Sequence, residues 1–231
     1  MFKRSVVSIT ILVFSLFCES AVSQNQDPYQ VLDAVKDKYK TVNDYSVQAA
    51  IKVDVSFLTV PEIKAKVFFK HPDKIHLDAK GFAMLPKQGF NFSQELLLKD
   101  NYNAIYVKEE VIEEVKTAVI KIIPDEDSSG VILSTLWIDL KESVIIKVET
   151  TTKDKGTFEI KFNYSSKKYP LPSTVEFLFN GGRDETAESA DNERETNPRR
   201  IGRGLMKGNV TVNYSDYVIN KGIDDSIFES E

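Results

Sequence analysis

From Tyr45 almost to its end, most of this chain sets an apolar residue at every second position, and the two longest departures from that period are 81–92 and 180–207. A period of two marks a strand with one dry face and one wet face. Tyr45, Val47, Ala49, Ile51, Val53 and Val55 share one side, while Ser46, Gln48, Lys52, Asp54 and Ser56 take the other. Ile63, Ala65, Val67 and Phe69 repeat the pattern after Pro61, and Ile75 and Leu77 continue it beyond the His71-Pro72 corner. Strands resume over 102–107, 117–123 and 135–138, with a polar stretch over 108–114 between the first two. Val144, Ile146 and Val148 alternate again, Lys153-Asp154-Lys155-Gly156 reads as a hairpin turn, and Phe158, Ile160, Phe162 and Tyr164 follow it. Pro170 and Pro172 bound a strand carrying Val175, Phe177 and Phe179. A last strand around Val210, Val212 and Tyr214 leads into 217–228, which brings the chain end back into the sheet.

One segment has a helical period instead. Asp27 suits an N-cap and Pro28 the first helical turn, and Val31, Leu32, Val35, Tyr39 and Val42 form a stripe opposite Asp33, Lys36, Asp37, Lys38 and Lys40. Such a stripe either packs on a core or also covers a cavity. Roughly ten strands against one helix make the class mostly β, a single antiparallel sheet curled around its apolar face with the helix as its cover.

The first 23 residues read as a secretory signal: Lys3 and Arg4, an apolar run from Val6 to Phe17, then Ala21-Val22-Ser23. The domain then spans 24–231. The single cysteine, Cys18, falls inside the signal; as a lipid-attachment site it would follow the bulky Phe17 where that motif wants a small residue. Export without a disulfide leaves stability to the core alone.

The two departures are different in kind. Residues 81–92 are apolar without period, and Phe82, Met84 and Leu85 read either as a loop tucked on the core or as a mobile flap at the mouth of a cavity. Residues 180–207 are acidic, then basic, and poor in apolar side chains, which predicts a flexible loop.

With 42% hydrophobic and 28% charged residues among 231 and a net charge of −5, the chain offers no basic stripe for nucleic acid. His71 and His76 have opposite strand parity, so with Asp73 and Asp78 they do not converge on a metal. Nucleophile elbow, phosphate loop and HExxH are all absent from the sequence. We therefore expect neither an enzyme nor a cofactor.

The order of features resembles the periplasmic outer-membrane lipoprotein carriers, the LolA/LolB-like proteins. The resemblance runs through the signal peptide, the helix ending at Val42-Asn43-Asp44-Tyr45, the Phe68-Phe69-Lys70-His71-Pro72-Asp73-Lys74-Ile75 corner and the Leu98-Lys99-Asp100 to Tyr106 pair. It continues through Leu136-Trp137-Ile138-Asp139 and Val148-Glu149, and closes on Val218-Ile219-Asn220-Lys221-Gly222-Ile223-Asp224-Asp225-Ser226-Ile227-Phe228. It implies an unclosed antiparallel barrel, hydrophobic on its concave side and lidded by the N-terminal helix, with or without a short loop helix beside it. It also implies a monomeric periplasmic carrier of lipoprotein acyl chains or another lipid, with an inner-membrane release complex and an outer-membrane acceptor as partners. The lid stripe of Val31, Leu32 and Val35 would face Val47, Ile51, Val67, Phe69, Ile75 and Leu77, and Phe158, Ile160, Phe162 and Phe177 would complete the wall. In these carriers an arginine before the corner proline latches the lid; here His71 stands there as the latch candidate. The alternative is a periplasmic sensor or adaptor that binds a protein or lipid signal on the same scaffold without transporting it.

Overall fold

The structure is a computed structural model that describes residues 26–55, 58–59, 61–79, 102–125, 130–153, 156–180 and 207–229. Residues 1–23 with Cys18, expected to be a signal, the flap candidates Phe82, Met84 and Leu85, and nearly all of 180–207, expected to be a loop, lie outside the described residues.

Helix α1 covers Pro28–Lys40, with Asp27 as N-cap accepting from the Tyr29 amide at 3.0 Å. The strands are β1 (Asp44–Val55), β2 (Leu58–Thr59), β3 (Ile63–Lys70), β4 (Lys74–Asp78), β5 (Tyr102–Ile112) and β6 (Val115–Pro124). They continue as β7 (Val131–Asp139), β8 (Val144–Thr152), β9 (Gly156–Asn163), β10 (Thr174–Asn180) and β11 (Lys207–Ile219). All pairings are antiparallel, in the order β4-β3-β1-β11-β10-β9-β8-β7-β6-β5, with the short β2 beside β1. The path ends at β4 and β5, so the sheet is an unclosed barrel with one helix. Chain neighbours pair from β5 to β11, β1 takes both β2 and β3, β4 and β5 are left apart as the open ends, and β11 joins the two runs by pairing with β1 as well as with β10.

Register turns the period of two into a continuous surface. Tyr106 lies opposite Ile120, Ile120 opposite Leu136, Leu136 opposite Val148 and Val148 opposite Ile160. The row goes on through Phe177 and Val210 to Val53, so one line of apolar side chains crosses the sheet from β5 to β1. The opposite face is polar: Lys147 meets Glu159 at 2.6 Å and lies over the Trp137 ring at 4.5 Å, and the Trp137 indole N–H donates to Glu110 at 3.0 Å. Such a one-sided sheet has a single face to cover.

Two segments differ from the sequence reading. Strand β5 does not stop at Val107 but runs to Ile112, because a bulge between Tyr106 and Lys108 shifts its parity and hides the alternation. The β5–β6 hairpin then turns on Glu113 (φ 47°) and Glu114 (φ 67°), a two-residue loop whose left-handed backbone suits Asn-Gly far better than two glutamates. Replacing Glu113→Asn together with Glu114→Gly is expected to stabilise the protein by about 1 kcal/mol, seen as a higher urea midpoint at unchanged m-value. Secondly, the return to the sheet takes in only part of the tail: β11 pairs with β1 up to Ile219, Asn220 (φ 55°) and Gly222 (φ 81°) turn the chain out, and Asp225–Phe228 is a 3-10 turn capped by Asp224.

Candidate functional site

Because the sheet has one apolar face, the covering of that face defines the site. Leu32 and Val35 of α1 are 0% exposed and Tyr39 is 9% exposed. They pack in one cluster with Ala118, Ile120, Ile122, Leu136, Ile138 and Ile145, and with Val148, Ile160, Phe162 and Val175. Val31 and Phe158 and Phe177 border the same cluster. Val47, Ala49, Ile51, Val67 and Val212 form a second cluster, bordered by Tyr45, Val53, Ile63, Leu77 and Val210. The helix stripe therefore rests on the β6–β10 part of the face, and among the described residues it does not share a cluster with Val47, Ile51, Val67 or Leu77 as the sequence reading had it. An amphipathic stripe carries no information about which part of a long apolar face it meets.

The remaining wall residues keep their parity. Val67 lies opposite Leu77 and Phe69 opposite Ile75, so all four share the face, with Phe69 buried at 3% and Ile75 on the edge strand at 36%. His71 is exposed in the β3–β4 turn; it touches the helix exit through its main chain, whose N–H donates to the Asn43 carbonyl at 2.7 Å. His76 lies on the other face beside Phe68, with ring centroids 6.0 Å apart. Among the described residues, no three His, Cys, Asp or Glu side chains are placed to hold a metal ion.

Both ends of α1 are tied to the sheet. At its start Tyr29 stacks on Tyr102 at 6.3 Å and its hydroxyl accepts from the Ala104 N–H of β5 at 3.2 Å, while Lys36 lies 5.2 Å over Tyr102. At its exit Asn220 accepts from the Asn43 amide (2.7 Å) and donates to the Thr41 carbonyl (2.8 Å). The buried Asp44 carboxylate accepts from the Lys221 and Gly222 amides at 3.0 and 3.1 Å. The tail that supplies these groups is strapped to the β3–β4 corner, where Asp225 meets Lys74 at 2.8 Å and Lys70 at 3.0 Å; those two cations hold its carboxyl below the usual range.

Where the two clusters meet, tyrosines gather. Tyr45 stacks on Phe69 at 5.2 Å and meets Tyr217 edge-on at 5.8 Å, and Tyr214 lies 6.1 Å from Tyr217. Tyr39 and Tyr164 are hydrogen-bonded to each other on the helix side. Burial pushes the Tyr45 phenol up to about 12 and raises Tyr39, Tyr164, Tyr214 and Tyr217 as well, so all five stay protonated donors across the physiological range. Strand parity alone puts several of them on the apolar side but does not show that they converge. Tyr214 and Tyr217 are three apart, which on a regular strand puts them on opposite faces.

A polar cleft of about 930 Å³ opens at the end of the sheet near Lys116, Lys167 and Tyr164. Its Lys116 and Lys167 are paired with Glu109 and Asp139, each at 2.7 Å.

With this geometry in place, comparison with solved structures finds the same architecture. The chain superposes on a DUF1329 family protein from Desulfovibrio piger with TM-score 0.60 and 13% identity, covering 87% of this chain and 97% of that one. A LolA superfamily protein from Nitrosomonas europaea gives 0.57 and 11%, over 87% and 96% of the two chains. The fold is LolA-like. A domain from Vibrio parahaemolyticus assigned to outer-membrane lipoprotein sorting also gives 0.57 and 11%, over 87% and 97%. No protein-family model matches the sequence, and no curated protein matches it either. At these identities the likeness is one of fold.

Proposed function

We propose that the chain is a non-enzymatic periplasmic carrier that binds the acyl chains of lipoproteins, or of another lipid, on the apolar face of its open sheet. The observation that supports this reading is the unbroken apolar row from Tyr106 to Val53, on a sheet whose ends do not pair. Each methylene taken out of water is worth about 0.8 kcal/mol, so long chains need a large dry surface, and a carrier must still give them up. An open sheet under one tethered helix meets both needs, with α1 as lid and His71, beside its exit, as the latch. The sorting assignment of one structural neighbour and the signal-like residues 1–23 favour export and the same cargo class. An inner-membrane release complex and an outer-membrane acceptor would then hand the cargo on and off.

Native mass spectrometry of the protein isolated from its own compartment tests the reading. Co-purified phospholipid or acylated peptide is the expected result. An empty protein in stoichiometric complex with another protein would instead favour the sensor or adaptor.

A further inference from the structure

The tyrosine seam has a built geometry that core packing alone does not require. The β1–β11 ladder shifts register between Ser46 and Gln48, and Asp216 in the facing strand adopts φ 58°. That bulge brings both Tyr214 and Tyr217 against the Val47, Ile51 and Val212 cluster. A bulge costs ladder hydrogen bonds and serves to re-aim a side chain. Three of the five phenols are satisfied within the protein. Tyr164 donates to the Ile145 carbonyl at 2.7 Å, Tyr217 to the Pro172 carbonyl at 2.8 Å, and Tyr39 is bonded to Tyr164. Tyr45 and Tyr214 differ: among the described residues neither hydroxyl has a hydrogen-bond partner. Both rings are held on the apolar face, one against Phe69 and both against Tyr217. Neither hydroxyl is a buried polar atom left without a partner, so both reach solvent and can exchange water for a ligand's acceptor.

The chemistry of the acceptor follows from what surrounds it. Among the described residues no Lys, Arg or His is buried, so a carboxylate or phosphate at the seam would enter without a cation. An uncharged acceptor meets no such penalty. We propose that Tyr45 and Tyr214 form the polar grip of the apolar face, their hydroxyls donating to the uncharged ester carbonyl of a fatty-acyl ligand. The chain attached to that carbonyl lies on the clusters to either side. This inference rests on the acyl-binding reading and adds to it the group by which the ligand is positioned.

The test compares an ester with a hydrocarbon of similar length. Methyl laurate and n-tetradecane, delivered from cyclodextrin, are titrated against a fluorescent apolar probe bound to wild-type protein and to the Tyr45→Phe/Tyr214→Phe double variant. The double variant is expected to lose roughly tenfold in affinity for the ester while changing by less than about twofold for the hydrocarbon. An unchanged ester affinity overturns the inference and leaves the phenols hydrated by water alone. A second measurement does not depend on the variant folding well: in wild-type protein with 13Cζ-labelled tyrosine, two resonances should move with methyl laurate and stay still with tetradecane. Failure to move overturns the grip. Wild-type protein that binds neither probe overturns the acyl-binding reading and the grip together, whereas binding of both without ester dependence overturns only the grip.

Discussion

Leu32→Ala is expected to cost about 2–5 kcal/mol, the range for emptying a leucine-sized volume in a core that collapses only in part. Leu32 is fully buried, in the second turn of α1, against the sheet residues of the first cluster. A helix of 13 residues has little stability of its own in water, so its order comes from the stripe it buries. The loss is thus large against the ~5–15 kcal/mol that a domain possesses. It should also be local at first. The α1 tethers at Tyr29 and Asn220 are hydrogen bonds and ring contacts near solvent, each worth about 1 kcal/mol, and cannot hold the helix down once its packing is loosened. Urea unfolding gives the total. Amide exchange tells the two components apart: α1 amides should accelerate more than those of β6 to β8. A loss below about 1 kcal/mol, or equal acceleration throughout, would mean that the helix is not held by this stripe.

Asp139→Ala is expected to cost about 2–3 kcal/mol and to remove part of the acid sensitivity of the fold. Asp139 ends β7, is 3% exposed, and caps the turn into β8 by accepting from the Lys141 and Glu142 amides at 2.9 and 3.0 Å. Its second oxygen meets Lys167 at 2.7 Å, which ties the segment after β9 to that turn. Burial works to raise the carboxyl, but the ammonium and the two amides outweigh it, and the net shift is downward. A depressed folded-state value means that the unfolded chain takes up the proton more readily. The contribution is therefore complete above the ordinary carboxylate value of about 4 and is lost as the pH falls through the lower folded value. Stability curves between about pH 5 and pH 2 should be flatter in Asp139→Ala than in wild type. Parallel curves would show that this carboxylate is not a source of acid lability.

What the residues disclosed in advance depends on whether the deciding force is local. Asp27-Pro28 and the stripe from Val31 to Tyr39 carry a cap and a period, and α1 begins and faces as they imply. The strands are legible because a one-sided sheet writes its burial at every second residue, as β3 does with Ala65, Val67 and Phe69. The 108–114 stretch was illegible for two reasons: a bulge after Tyr106 reverses the parity, and a turn made of Glu113 and Glu114 has none of the usual turn chemistry. The place where α1 rests was illegible because Leu32 and Val35 fit any apolar surface. Tyr217 hid in the same way, since only the backbone of Asp216 brings it to the side of Tyr214.

The row from Tyr106 to Val53 also sets a length. Adjacent strands lie about 4.8 Å apart, so the seven steps from β5 to β1 measure roughly 34 Å along the sheet. The hydrocarbon core of a bilayer is about 30 Å thick, and a tail from one leaflet fills about half of that. The face is thus about two tails long, and since Tyr214 on β11 and Tyr45 on β1 stand at its β1 end, two such tails laid end to end would meet about three strands away from them, near β8 and β9.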